Sequence, residues 1–388
     1  NYRIIDSLVR EMLPGEEERI YYNPEFDDNG LLAKLEVGGK IFVYDAKNKA
    51  LIPSERKKYP SIRPYGVSPD LRYELIVKEY NLWLEDKEQK KQVQLTFDGD
   101  KDYEFETANT EWLSDDGTFY LTREDKRNIR TFPLVYSLRE PAPTVSEYKY
   151  ELPGDTAVLK QELFIGNVKT GMFKKVDVVK WRGQLLEVLK VADVQDRVFF
   201  IRKKGTRNEF ELCSVDAKTG EVKVILHEVS KPYLNEELFS CRVVNEGKDI
   251  LLWSDRSGWG HYYHYDGNGK LLNAVTSGEW TAGRVMKIDT VKKQIYLYGF
   301  GKEKGRNPNY TYLYRVGFNG KRLTLLTPEN ATHSTFVHLG GGLIVDNFSR
   351  VDTVPQISVR DINGRLLTIL EKADVSHLLA YGWKYPEQ

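Results

Sequence analysis

Tyr263-His264-Tyr265-Asp266, followed by Gly267-Asn268-Gly269, reads as a short strand that runs into an acidic residue and then a glycine turn. The same reading fits Leu212-Cys213-Ser214-Val215-Asp216 before Lys218-Thr219-Gly220, and Val359-Arg360-Asp361 before Asn363-Gly364. A strand ending in an aromatic or apolar pair and an Asp, then a Gly or Asn turn, recurs about eight times at spacings of roughly 40 to 50 residues, the mark of a β-propeller. The expected fold is therefore all-β, with eight blades of about four antiparallel strands.

Working outward, Ile41 to Tyr44 with the Lys47-Asn48-Lys49 turn opens the first unit. A second runs from Tyr65 through Ser68-Pro69-Asp70 to Gln94-Leu95-Thr96. A third begins at Glu111-Trp112-Leu113 and takes in Thr118 to Leu121 and Phe132 to Val135. A fourth centres on Glu162 to Ile165 with Lys169-Thr170-Gly171, and later units start near Val191, Cys241, Val285 and Phe336. Each blade is a small twisted sheet that cannot bury both faces alone, so neighbouring blades supply the partner surfaces and leave only short edges. Before the repeats, Ile4, Ile5, Leu8, Val9, Met12 and Leu13 form a helical stripe that stops at Pro14-Gly15. This predicts a short helical segment over residues 1–20 and one propeller domain over residues 21–388.

Composition narrows the function classes. Lys plus Arg and Asp plus Glu each number 57 in 388 residues, so no net field argues for nucleic acid or an anionic membrane. No apolar run approaches the roughly 18 to 20 residues that span a bilayer. Two cysteines, Cys213 and Cys241, exclude a disulfide-dense scaffold and a cysteine-based zinc cluster, and leave open whether they pair.

Chemistry-bearing motifs are sparse. His261 and His264 are three apart on an expected strand, which points them to opposite faces and does not suit a shared metal. Asp115-Asp116 sits in a tight turn, where Asp tolerates the backbone. Gly66-Val67-Ser68-Pro69-Asp70 has Asp in place of the second Gly of a nucleophile elbow, so it reads as a blade turn. No catalytic residue, metal ligand or cofactor is expected.

Trp253-Ser254-Asp255-Arg256-Ser257-Gly258-Trp259-Gly260-His261-Tyr262-Tyr263 resembles the Ser-Glu/Asp-Arg-x-Gly-Trp/Tyr-x-His strand and hairpin of the dipeptidyl-peptidase-IV-like propeller. Thr276-Ser277-Gly278-Glu279-Trp280 stands where that family has Thr-x-Gly-x-Trp. Arg123 to Arg127 and Glu147 to Asp155 resemble the Arg-x-Asp-x-Arg and Tyr-Lys-Tyr-x-x-Pro-Gly-Glu/Asp segments of bacterial members. The likeness covers about residues 60 to 388.

What the resemblance implies is the propeller of a prolyl-oligopeptidase-clan serine peptidase, gating and orienting peptide substrates cleaved after residues such as Pro or Ala. Gly382-Trp383-Lys384-Tyr385-Pro386-Glu387 resembles the segment leaving the propeller, so a C-terminal α/β-hydrolase domain carrying the triad is expected beyond Gln388. The chain alone should then be inactive. The family also implies a periplasmic or extracellular location, and a homodimer for the full-length protein. The competing reading is a non-catalytic propeller that binds protein or glycan.

Two family features concern substrate. A pair of acids binds the free α-amino group, and Asp102-Tyr103-Glu104-Phe105-Glu106 lies in about the right place, although Phe105 separates the acids. In an extended segment Glu104 and Glu106 project to one side and could form a two-carboxylate amine site, although the plainer reading is of solvated loop acids. An early Arg that binds a substrate carbonyl corresponds by position to Arg56, which is otherwise an ordinary loop charge.

Overall fold

In the computed structural model, residues 25–26, 32–37, 40–45, 47–54, 65–113, 117–191 and 194–386 are described. The N-terminal stripe, Arg56 and Asp115-Asp116 lie outside them. Strands in chain order are β1 (Glu25–Phe26), β2 (Leu32–Val37), β3 (Lys40–Asp45), β4 (Ala50–Ser54), β5 (Tyr73–Lys78), β6 (Asn81–Asp86), β7 (Lys91–Gln94), β8 (Glu111–Trp112) and β9 (Thr118–Asp125). Next come β10 (Thr131–Tyr136), β11 (Thr144–Lys149), β12 (Lys160–Asn167), β13 (Met172–Val176), β14 (Leu185–Leu189), β15 (Arg197–Lys203), β16 (Glu209–Asp216) and β17 (Val222–Val229). The rest are β18 (Cys241–Val244), β19 (Asp249–Ser254), β20 (His261–Asp266), β21 (Leu271–Ala274), β22 (Thr281–Asp289), β23 (Gln294–Phe300), β24 (Tyr312–Gly317), β25 (Thr324–Leu325), β26 (Thr332–His338), β27 (Leu343–Arg350), β28 (Thr353–Asp361) and β29 (Leu366–Lys372), before the short helix α1 (Ser376–Ala380).

Two compact units result. One holds residues 63–278, and the other joins residues 1–62 to 279–388. In the first unit the sheets are β5-β6-β7, β13-β12-β9-β8, β14-β15-β16-β17 and β18-β19-β20-β21, plus the separate hairpin β10-β11. In the second they are β1-β2-β3-β4, β22-β23-β24-β25 and β26-β27-β28-β29. All the pairings are antiparallel, and most sheets are simple meanders, as short strands joined by tight turns dictate.

The turn chemistry repeats, with the Asp carboxylate taking amides two to four residues on. The Asp216 carboxylate accepts the Lys218 and Thr219 N–H groups at 2.9 and 2.7 Å. Asp266 accepts those of Asn268 and Lys270 at 2.9 and 3.0 Å, and Asp361 those of Asn363 and Arg365 at the same distances. The side chain thereby replaces the partners that turn amides lose at a strand end. A second repeated device is a Thr just past the last inner pairing: Thr96, Thr276 and Thr327 accept the N–H groups of Leu82, Tyr262 and Leu313 at 2.9, 3.1 and 2.8 Å.

Cores lie between consecutive sheets. Leu75, Leu82, Phe105, Phe119 and Phe164 fill the space between the β5–β7 sheet and the β8-β9-β12-β13 sheet. Ile165, Val198, Phe200 and Cys213 do so for the next pair, and Phe210, Leu212, Ile250 and Leu252 for the one after. In the second unit, Tyr296, Leu313, Val337 and Ile344 join the last two sheets. Each such side chain contributes about 1.5–3 kcal/mol by leaving water, so stability is spread along the sheet-to-sheet interfaces.

One expectation needs correction. The third and fourth units are a single sheet, since β12, with Glu162 to Ile165, pairs directly with β9. Phe132 to Val135 belong instead to the β10-β11 hairpin, which interrupts that sheet and leaves every residue of β10 exposed. Alternation of apolar residues looks the same in an inserted hairpin and in a blade, because period two reports a strand and not its neighbours. Among the described residues, no helix is long and apolar enough to cross a membrane.

Candidate functional site

The acidic stretch folds as the alternation of its residues requires. Tyr103 and Phe105 are buried, and Glu104 and Glu106 between and after them are exposed. Phe105 bridges Arg123 in antiparallel fashion, and the Lys126 N–H donates to the Asp102 carbonyl at 2.9 Å, so the segment runs beside the end of β9. Glu106 then leads into a single 3-10 turn at Thr107–Asn109.

Arg123 is the hub beneath this segment. Its side chain is 2% exposed, with Nη1 2.9 Å from Asp98 and Nη2 3.3 Å from Glu162. The guanidinium lies over the Tyr103 ring at 3.4 Å, the Phe105 ring at 4.5 Å and the Phe164 ring at 5.0 Å. The Tyr103 hydroxyl donates to Glu162 at 2.8 Å, and burial followed by that carboxylate raises its pKa far above the usual phenol value. Hydrogen bonding from Arg123 holds the Asp98 carboxyl below the ordinary carboxylate range. A planar, always charged cation suits this double role of stacking and fork-like pairing. With the two rings flanking Glu104 packed on Arg123, the two carboxylates face the open side.

That side is a cavity of about 390 Å³. Glu104 and Glu106 line it with Tyr120, Gln161 and the ion pairs Lys126–Glu124 and Lys190–Glu111. Among the described residues neither Glu104 nor Glu106 forms a salt bridge; Glu106 accepts only a long contact from Asn109 Nδ2 at 3.4 Å. Two carboxylates outside any salt bridge, beside paired ones and with the cation of Lys126 acting on Glu106 at longer range, offer a place for a small organic cation. Arg56, the other residue singled out for substrate, lies outside the described residues.

The remaining motifs serve structure. Arg256 pairs with Glu228, takes Ser254 Oγ as acceptor at 3.0 Å and stacks 4.3 Å over Tyr263. His261 Nε2 donates to the Gly278 carbonyl at 2.9 Å, which leaves Nδ1 to accept from the Thr276 hydroxyl at 3.0 Å. Burial lowers the pKa of that imidazole, in keeping with a neutral ring. His264 turns to Asp249 instead, at 2.7 Å. Ser68 donates to Asp70 and accepts the Tyr73 N–H at 2.8 Å, so it is a turn serine. Asp155 caps Leu152 at 3.0 Å and pairs with Arg130 at 2.8 Å, which explains the Pro-Gly-Asp ending of its motif.

One cluster escaped sequence reading. Glu329, His333 and Asp346 bring potential ligand atoms within 4.8 Å of one another. Arg360 occupies the position a cation would take, 3.1 Å from Asp346 and 2.5 Å from Glu329. Both ring nitrogens of His333 are engaged, Nδ1 with Asp346 at 2.9 Å and Nε2 with the Glu329 carbonyl at 3.0 Å. The arrangement is a buried ion-pair network that fixes β26, β27 and β28 to each other. Nothing in local sequence signals it, because its members come from separate strands.

Comparison with known proteins adds to this geometry. A family profile described as "Dipeptidyl peptidase IV (DPP IV) N-terminal region" matches residues 33–355. The dipeptidyl peptidase 4 of Trichophyton equinum is 30% identical over 200 residues, covering 48% of this chain and 25% of that protein. A probable dipeptidyl peptidase 4 of Aspergillus fumigatus is 23% identical over 286 residues, covering 69% and 37%. The crystal structure of Porphyromonas gingivalis dipeptidyl peptidase 4 superposes with a TM-score of 0.68 at 19% identity, over 95% of this chain and 55% of that one. A putative dipeptidyl aminopeptidase IV from Bacteroides ovatus gives 0.66 at 18% identity, over 96% and 55%. These structural likenesses speak to the fold, and the chain spans only part of the length of each relative it matches.

Proposed function

We propose, starting from the fact that the chain belongs to the dipeptidyl peptidase IV N-terminal region family, that it is the substrate-gating and substrate-orienting propeller of a serine exopeptidase. In this reading Glu104 and Glu106 bind the free α-amino group of a peptide, and Arg56 takes a substrate carbonyl. A C-terminal α/β-hydrolase domain performs acyl transfer after residues such as Pro or Ala. What supports the reading is one observation: Glu104 and Glu106 face the same cavity and, among the described residues, carry no ion pair, while the other acids lining it are paired. An ammonium held by two carboxylates gains two charge-assisted hydrogen bonds, and it fixes how far the peptide can reach.

The test uses the full-length protein and chromogenic dipeptide substrates with free and with acylated N-termini. Blocking the amine should abolish turnover, and Glu104→Gln or Glu106→Gln should raise KM about tenfold or more, as loss of a charge-assisted contact does. Equal activity on free and blocked substrates sinks the amine site. A periplasmic or extracellular location and a homodimer are part of the same proposal. The exposed apolar hairpin β10-β11 is the surface that favours self-association. A second reading, a protein- or glycan-binding module, draws on the aromatic cluster of that hairpin, where Phe132, Tyr148 and Tyr150 lie about 6 Å apart. It predicts ligand capture that Glu104→Gln leaves unchanged.

A further inference from the structure

The β10-β11 hairpin has no partner sheet among the described residues, yet its root reaches the acidic cavity. Lys149 closes β11, and its ammonium lies 3.1 Å from Asp102 Oδ2 while donating to the Ile129 carbonyl at 3.1 Å. Both side chains of the pair are less than a quarter exposed, at 23 and 20%. Asp102 also gives its N–H to Asp100 Oδ1 at 3.0 Å and its carbonyl to the Lys126 N–H. The residue two places before Glu104 is therefore held at its backbone by a turn and by Lys126 just past β9, and at its side chain, among the described residues, by the ion pair with Lys149.

The two constraints act on different degrees of freedom. Arg123, through the Tyr103 and Phe105 rings, fixes the rotation of the segment about its own axis. Asp102 fixes where along the cavity wall the segment begins. Asp102 is itself a cavity-lining acid. Without Lys149 its side chain loses that ion pair, and the start of the segment is free to shift along the cavity wall.

We propose that Lys149 is a positioning residue for the Glu104 and Glu106 pair, acting through Asp102, and that it couples the exposed hairpin to the cavity. The inference rests on reading those glutamates as an amine site. It also gives a reason for a lysine at the centre of Tyr148-Lys149-Tyr150 that the hairpin alone does not supply. An ångström of misplacement is enough to degrade an oriented site, so the effect is expected in binding geometry and not in fold.

Steady-state kinetics of the full-length protein on a free-amine chromogenic dipeptide test the idea. Lys149→Met is expected to raise KM about tenfold with kcat nearly unchanged, and Lys149→Arg to restore KM, since the ion pair needs only a cation of similar reach. The thermal midpoint should stay within about 2 °C of the parent, whereas a merely structural role would lower the midpoint and kcat together. Asp102→Asn should reproduce the KM change, the double variant should add little, and Asp102→Asn carries the comparison if Lys149→Met does not fold. Unchanged KM in Lys149→Met beside a raised KM in Glu104→Gln overturns the inference and leaves the amine site standing. Unchanged KM in Glu104→Gln and Glu106→Gln removes the amine site and this inference with it.

Discussion

A Cβ added to Gly269 would lie 1.9 Å from the carbonyl oxygen of Ile225. Gly269 turns β20 into β21 at φ +86°, and Ile225 belongs to β17 of the preceding sheet, so the turn of one sheet seats on the backbone of another. Gly364 repeats this against Leu326 of the adjacent sheet, with an added Cβ 2.8 Å away, at φ +89°. The recurrent glycine therefore answers two demands at once, a left-handed backbone and a close approach.

Gly269→Ala should accordingly destabilise the protein by more than about 2 kcal/mol, because strain and backbone overlap add. Gly171→Ala is the control: it has φ +70° with nothing within 4 Å of an added Cβ, and should cost only about 1 kcal/mol. Urea denaturation of both variants measures the difference. Equal losses would mean that the approach to Ile225 carries no weight.

Arg123→Met removes a buried cation and leaves Asp98 and Glu162 without it, so a loss of about 3–5 kcal/mol is expected. Lys190→Met breaks only the exposed pair with Glu111 and should stay within about 0.5 kcal/mol. Chemical denaturation midpoints report both. A small effect at Arg123 would remove it as the anchor of the Tyr103 and Phe105 rings.

Acid should weaken the blade turns. Backbone N–H donors hold the carboxyls of Asp216 and Asp361 below the ordinary value of 3.8, foremost those of Thr219 and Arg365 respectively. Between the lowered folded value and 3.8 the unfolded chain binds more protons than the folded one, so stability rises with pH there. This stability is complete above about pH 4 and is lost as pH falls through the folded values. Asp216→Asn with Asp361→Asn should flatten thermal midpoints measured between about pH 2 and pH 5; an unchanged slope would place the acid sensitivity elsewhere.

Asp346→Asn should cost about 3–5 kcal/mol, since it leaves Arg360 and His333 in a buried site short of one anion. Chelator should leave the thermal midpoint of the parent unchanged, because Arg360 fills the space between the carboxylates. A midpoint that falls with EDTA and recovers with zinc would show instead that Glu329, His333 and Asp346 hold a metal.

The strand-Asp-Gly repeat was legible because its chemistry is local: Asp216, Asp266 and Asp361 cap amides two to four residues away. The facing of Glu104 and Glu106 was legible for the same reason, as period two sets it. A second local signal, the Thr of Leu95-Thr96, Val275-Thr276 and Leu326-Thr327, could have marked the blades more sharply than the aromatic pairs did. Which strands share a sheet is not legible, because period two separates β9 from β12 and groups β10 with the third unit, whereas the sheet pairing does the reverse.

Sequence by itself determined the strand-and-turn alphabet of this protein, the family to which its motifs point, and the side of the chain on which its two free acids stand. Tertiary structure alone decided what holds those acids in place. Arg123 meets Glu162 across 39 residues of sequence, and Lys149 reaches Asp102 from a hairpin inserted between two strands of one sheet. Ion pairs and ring stacking of that kind depend on proximity in space, which leaves no period along the chain to read.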